Sequence, residues 1–125
     1  MIVSGDVATI LARDLDSLCK DIYKKGAIPT GEVLTERIVI LPKGLKEGTY
    51  WSKGFVEVNF CIPNAGEMAN TIRLTEVERI LKPLENVSLF DNTRYRYSVE
   101  STSQEEDTPL ACWYVNARIL FEVLN

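Results

Sequence analysis

Near the start of the chain, apolar positions recur every third or fourth residue: Val7, Leu11, Leu15, Leu18 and Ile22, with Ile10 on the flank. That spacing is one stripe of an amphipathic helix and predicts a helix from Ser4 to Lys25. Ser4 can cap the first turn, and Asp6 suits its positive end. Lys24 and Lys25 suit the negative end, Gly26 offers a left-handed stop and Pro29 forbids continuation. The pattern then changes to alternation. Over Val33 to Leu41, Leu34, Ile38 and Ile40 fall on one face, with Arg37 and Val39 on the other, and Pro42 closes the strand. Over Phe55 to Ile62, Val56, Val58, Phe60 and Ile62 face one way and Glu57 and Asn59 the other. The thirteen residues PKGLKEGTYWSKG join these strands, more than a tight hairpin needs.

A second helix is predicted within Gly66 to Lys82. Asn64 with Glu67 resembles a capping box, and Thr75 with Glu78 is a later competing start. Ala69, Val77, Ile80 and Leu81 form its stripe, and Pro83 stops it near Leu81. Asp91 and Asn92 read as a turn. Tyr95, Tyr97 and Val99 then alternate with Arg94, Arg96 and Ser98, and the polar run STSQEED reads as a turn. The strongest strand follows, with Trp113, Val115, Ala117, Ile119, Phe121 and Val123 on one face and Tyr114, Asn116, Arg118 and Glu122 on the other. The order helix, strand, strand, helix, strand, strand predicts a single α+β domain over residues 1–125. Its architecture is a two-layer sandwich: a four-stranded, mostly antiparallel sheet with both helices on one face.

Composition narrows the chemistry. Eighteen acidic groups against 14 basic ones give a net charge of −4, which disfavours general affinity for nucleic-acid phosphate or anionic lipid. Histidine is absent, so Ser-His-Asp and Cys-His nucleophiles are excluded. Cys19, Cys61 and Cys112 are too few and too widely spaced for a zinc signature, and read as reduced thiols. The N-terminal segment lacks a basic leader, and the apolar run Leu110 to Val115 is too short to span a bilayer, so the expectation is a protein made in the cytoplasm with no membrane partner. No phosphate-binding glycine loop occurs, and no cofactor is expected. The carboxylate pairs Asp14/Asp16 and Glu105/Glu106 read as solvated surface.

Two segments carry more information. Pro42 to Gly54 holds Lys43, Lys46 and Lys53 against Glu47, with Tyr50 and Trp51. Glu100 to Asp107 holds Glu100, Glu105, Glu106 and Asp107 with no base. The first suits a protein partner, stacking on single-stranded nucleic acid, or a plain surface loop. Its charge opposes that of the second, so copies of the chain can meet head to tail through them. The predicted outer sheet face sets Arg37, Arg94, Arg96 and Arg118 beside Val39, Phe55, Tyr114 and Leu120. It is either a wet face whose arginine stems cover their neighbours or a subunit interface. Arg73 is either a snorkelling arginine on a late-starting helix or an anchor on a neighbouring subunit.

The opening helix ending at KKGAIP, the strand ERIVILP, the strand FVEVNFCIPN leading to the helix NTIRLTEVERIL, and the closing strand WYVNARILFEVLN together resemble the tail terminator and tail completion proteins of long-tailed bacteriophages. The resemblance covers most of the chain. It implies a structural protein without catalysis, encoded by a phage or prophage. Such a protein forms a ring, typically hexameric, at the head-proximal end of the tail tube and joins it to the head connector. DNA would pass through the ring without specific binding, a passage that an acidic segment such as Glu100–Asp107 suits. Location follows: host cytoplasm during assembly, then the virion tail. The alternative is a small α+β enzyme or ligand-binding domain with a cleft between helices and sheet.

Overall fold

The computed structural model describes residues 1–24, 31 and 33–125. Along the chain lie α1 (Ser4–Leu15), β1 (Ile22–Lys24), β2 (Arg37–Pro42), β3 (Trp51–Pro63), α2 (Thr71–Leu81), β4 (Glu85–Phe90), β5 (Thr93–Asp107) and β6 (Cys112–Leu124). The strands form one sheet in the order β1-β2-β3-β6-β5-β4, parallel at β1/β2 and antiparallel elsewhere. The sheet curls into a half-barrel. Period-2 alternation on β3 and β6 builds its centre. Val56, Val58, Phe60 and Ile62 face inward beside Val115, Ala117, Ile119 and Phe121, all buried. The helices close this face with Val7, Ile10, Leu11 and Leu15 of α1 and Leu74, Val77 and Leu81 of α2. Each large side chain so buried contributes about 1.5–3 kcal/mol.

The four-stranded sheet expected from the sequence is therefore wrong, as is its α-β-β-α-β-β order. Two strands were missed. β1 lies inside the segment expected to continue the first helix. α1 ends at Leu15, where the Leu18 amide donates back to the Leu15 carbonyl (2.9 Å) and tightens the chain into a turn. Asp16 and Ser17 are poor helix formers. Beyond them Ile22, Tyr23 and Lys24 pair with Ile38, Val39 and Ile40, so strand pairing outweighs the helical spacing of Leu18 and Ile22. The expected stop at Gly26 and Pro29, with Lys25, lies outside the described residues. Ser4 does not cap α1 but is its first helical residue, preceded by Val3, whose amide donates to the Asp6 carboxylate (2.9 Å).

The second missed strand is β4, joined to β5 by Asp91 and Asn92 at φ 50° and 60°. This is a two-residue hairpin turn of the left-handed kind that Asp and Asn tolerate. The polar run read as a turn is the far half of β5. Ser101 to Asp107 pair with Cys112 to Arg118, and the chain reverses at Thr108–Ala111 instead. This half of β5 is polar on its inner side because it packs on the polar flank of α2. Thr102 Oγ1 donates to Glu78 (2.7 Å) and Gln104 Nε2 to the same carboxylate (3.0 Å).

Smaller differences follow the same logic. Leu34 precedes β2 and is exposed, while Val39 is buried in a second cluster with Val33, Cys61 and Cys112, and Arg37, also buried, lies opposite Cys61. α2 starts at Thr71, with the Asn70 side chain accepting from the Arg73 amide (3.3 Å), so neither Asn64/Glu67 nor Thr75/Glu78 opens it. Its buried stripe includes Leu74, and Ile80 is exposed.

Candidate assembly surface

Among the described residues no helix lies against the convex side of the sheet, which holds most of the residues singled out from the sequence. Antiparallel register places them in rows. Lys53, Glu122, Arg96 and Val87 form one row across β3, β6, β5 and β4. Phe55, Leu120, Ser98 and Glu85 form the next, and Leu41, Glu57, Arg118 and Ser101 another. Two arginines sit over aromatic rings: Arg96 over Trp51 at 4.0 Å from the centroid, and Arg118 over Phe55 at 3.9 Å. Such stacks fix both partners.

Glu122 organises this corner, a role that needed the register to be seen. Its carboxylate accepts from Arg96 Nε (3.3 Å) and Nη2 (3.1 Å) and lies 3.5 Å from Lys53 Nζ. Burial pushes the Glu122 carboxyl up, but Arg96 and Lys53 together outweigh it and hold it below the usual carboxylate range. Asn116 extends the ordered face by donating to Glu57 and Asn59, each at 2.8 Å.

The β2–β3 connection folds over the end of this face. Lys46 and Lys53 exchange backbone hydrogen bonds (2.6 and 2.8 Å), and the Lys43 amide donates to the Phe55 carbonyl (2.9 Å). The expected thirteen-residue loop is thus a strand extension with a short tip. Gly54 is required here, because a Cβ would lie 2.7 Å from the Gly44 carbonyl oxygen. Between tip and sheet opens a cleft of about 860 Å³, floored by Trp51, Phe55 and Leu120. Lys43, Lys46, Lys53 and Arg118 outnumber Glu47 and Glu57 on its rim, and Tyr50 stands exposed at the tip. Arg96 covers one face of the Trp51 ring, and the ring also lines the cleft.

Glu105, Glu106 and Asp107 sit at the opposite end of the sheet, where β5 turns into β6. They pair with Tyr114, Trp113 and Cys112, and Asp107 accepts from the Leu110 amide (3.3 Å). Thirteen residues of β6 separate the two ends, roughly 40 Å along the strand at 3.3 Å per residue. One pole of the sheet is cationic and aromatic, the other acidic. Arg94 is exposed on the convex face near the cationic end, opposite Leu89.

Arg73 belongs to neither pole. Its guanidinium binds Glu36 through Nε (2.8 Å) and Nη2 (2.9 Å) and Glu76 through Nη1 (2.8 Å), and it leans on Phe60. It ties α2 to the segment before β2 within one chain. Arg37 is buried among Cys61, Cys112 and their neighbours. Burial raises the Cys61 thiol to about 12, with Cys112 adding to the rise, so this pair is chemically quiet. The three cysteines are free thiols.

Among the described residues no group of three or more Cys, Asp or Glu is placed to hold a metal ion, and no helix is long and apolar enough to cross a membrane. No protein-family model matches the chain, and no curated protein matches it. A solved structure is similar. It shares 12% identity and aligns over 95% of this chain and 93% of its own with a TM-score of 0.55. That likeness concerns the fold alone.

Proposed function

We propose that this protein is a non-enzymatic assembly module whose copies join head to tail into a closed ring. The observation that carries the reading is the separation of charge along the sheet. The cationic, aromatic cleft and the acidic β5–β6 end lie at opposite ends of the same strands. A contact between unlike surfaces is heterologous, and it closes into a ring when the rotation per copy permits. Tyr50, Trp51, Arg96 and Arg118 are the residue types that anchor interface centres, and Glu122 holds Arg96 in place before any partner arrives.

The segment resemblance to phage tail completion proteins gives the ring its place. It caps the head-proximal end of a tail tube and meets the head connector, in the host cytoplasm first and in the virion afterwards. DNA crosses it without specific contacts. The helix–sheet interior supports this reading over a cleft enzyme: Ile10, Leu11, Leu15, Phe60, Leu74 and Leu81 fill that space and are fully buried. Electron microscopy of the protein mixed with tail tubes of the phage or prophage that encodes it tests the proposal. Rings seated on one end of each tube are expected. Tubes left bare at saturating protein would refute it.

A further inference from the structure

We infer a second self-association surface: the free edge of β4, which pairs antiparallel with β4 of another copy about a two-fold axis, with Val87 opposite Val87. This goes beyond the ring reading and does not rest on it, since it uses a sheet edge and not the strand ends.

β4 is one edge of the sheet, and among the described residues β5 is its one strand partner. Natural edge strands are defended by lysine, proline, bulges or extreme shortness. ENVSLF has neither lysine nor proline, and the ladder's single register shift lies in β5 at Val99/Ser101. Its six residues pair with β5 without a break, and it presents Val87 at 66% and Leu89 at 58% exposure on the convex side. Glu85 at its start is the strand's one charge, so the stretch from Asn86 to Phe90 is an undefended template.

The register follows from side-chain alternation and charge. Two-fold antiparallel pairing puts both convex faces on the same side of a continuous sheet. Only registers that pair odd with odd positions keep Val87 and Leu89 on that face. Setting Val87 against Leu89 brings Glu85 to the turn residue Asp91, and like charges brought together destabilise. Setting Leu89 against Leu89 places Val87 against Asp91. Setting Val87 against Val87 puts Glu85 opposite Leu89 of the other copy. Across that leucine, in the same row, lies the other copy's Arg94, because Leu89 pairs with Arg94 within each chain. The two side chains then reach over Leu89 across two strand spacings, roughly 10 Å. Neither Glu85 nor Arg94 has a side-chain partner among the described residues, so this register supplies both. On the other face Asn86 meets Ser88. The strand is complementary to itself, which identifies a second copy as its occupant.

Site-directed crosslinking tests this in the full chain. Val87→Cys is expected to form a disulfide dimer on mild oxidation. Leu89→Cys is not, because its two copies would lie roughly 14 Å apart along the strand, beyond disulfide reach. The wild type, whose Cys61 and Cys112 are buried and Cys19 half-buried, sets the background. Sedimentation of the wild type over a concentration series is expected to show dimerisation, weakened at least tenfold by Glu85→Arg and restored by Glu85→Arg with Arg94→Glu. Circular dichroism of each variant verifies the fold. Equal crosslinking at both positions, no crosslinking at Val87→Cys, or no rescue in the folded double variant would overturn the inference.

Discussion

Replacing Glu122 by glutamine tests how the convex face is ordered. The carboxylate side chain is 12% exposed, whereas those of Arg96 and Lys53 are 45% and 57% exposed. Glutamine keeps the shape and one acceptor for Arg96 but removes the charge that draws both cations. A hydrogen bond to a charged group is worth about 1.5–3 kcal/mol, and the exposed cations can return to water. The expected loss is therefore about 1–2 kcal/mol. For a chain of this size each kcal/mol moves the melting midpoint by roughly 3–5 °C.

The sign with pH is fixed. Glu122 has a folded pKa below its unfolded value. Its contribution is thus present above the ordinary glutamate pKa of about 4.3 and is lost as pH falls through the folded pKa. Urea melts of wild type and Glu122→Gln, followed by circular dichroism, should differ at neutral pH and converge in acid. Tryptophan emission should shift as well, because Arg96 loosens from Trp51. An offset unchanged from neutral pH to strong acid would refute the electrostatic explanation and assign the effect to packing.

Tyr97→Phe keeps the stack with Tyr95 and Phe121 but removes the hydroxyl that donates to Asp14 (2.6 Å), and should cost about 1.5 kcal/mol in urea melts. Cys61 has a folded pKa above its unfolded one. Stability is therefore complete below the usual thiol pKa of about 8.5 and declines as pH rises toward the folded value. Cys61→Ala should flatten that alkaline decline, and in the native wild type a thiol reagent should label Cys19 before Cys61 or Cys112. Gly54→Ala drives a Cβ into the Gly44 carbonyl and should cost about 1–3 kcal/mol while weakening ring formation, read by thermal melts and by electron microscopy.

The strands that bury one face announced themselves. β3 and β6 alternate cleanly because one side meets the core and the other faces outward. The elements that escaped sequence reading lack that contrast. β4 carries Val87 and Leu89 on its convex side and Asn86 and Ser88 on its inner side, the reverse of a core strand, because it is an edge. The far half of β5 is polar on both sides because its inner neighbours are Thr75 and Glu78 of α2. Ile22 kept helical spacing while belonging to a strand, since burial is satisfied by either backbone once the partner strand is near. The lysines and aromatics of the cleft were visible by composition. That they share one end of the sheet, and that Glu122 binds Arg96 and Lys53, depended on cross-strand register. Arg73 stood out in the sequence as a surface arginine, but its partners Glu36 and Glu76 did not.

Charge exchange between the poles tests head-to-tail assembly most directly. One variant carries Lys43→Glu and Lys46→Glu in the cleft; the other carries Glu105→Lys and Glu106→Lys at the acidic end. Within either variant alone, like charges face each other at every contact. In an equimolar mixture every contact between unlike copies is complementary again. Rings seen by electron microscopy and mass photometry only in the mixture, with the two variants alternating, are the expected result. Rings formed equally well by either variant alone, or a mixture that stays unassembled while wild type assembles, would contradict it.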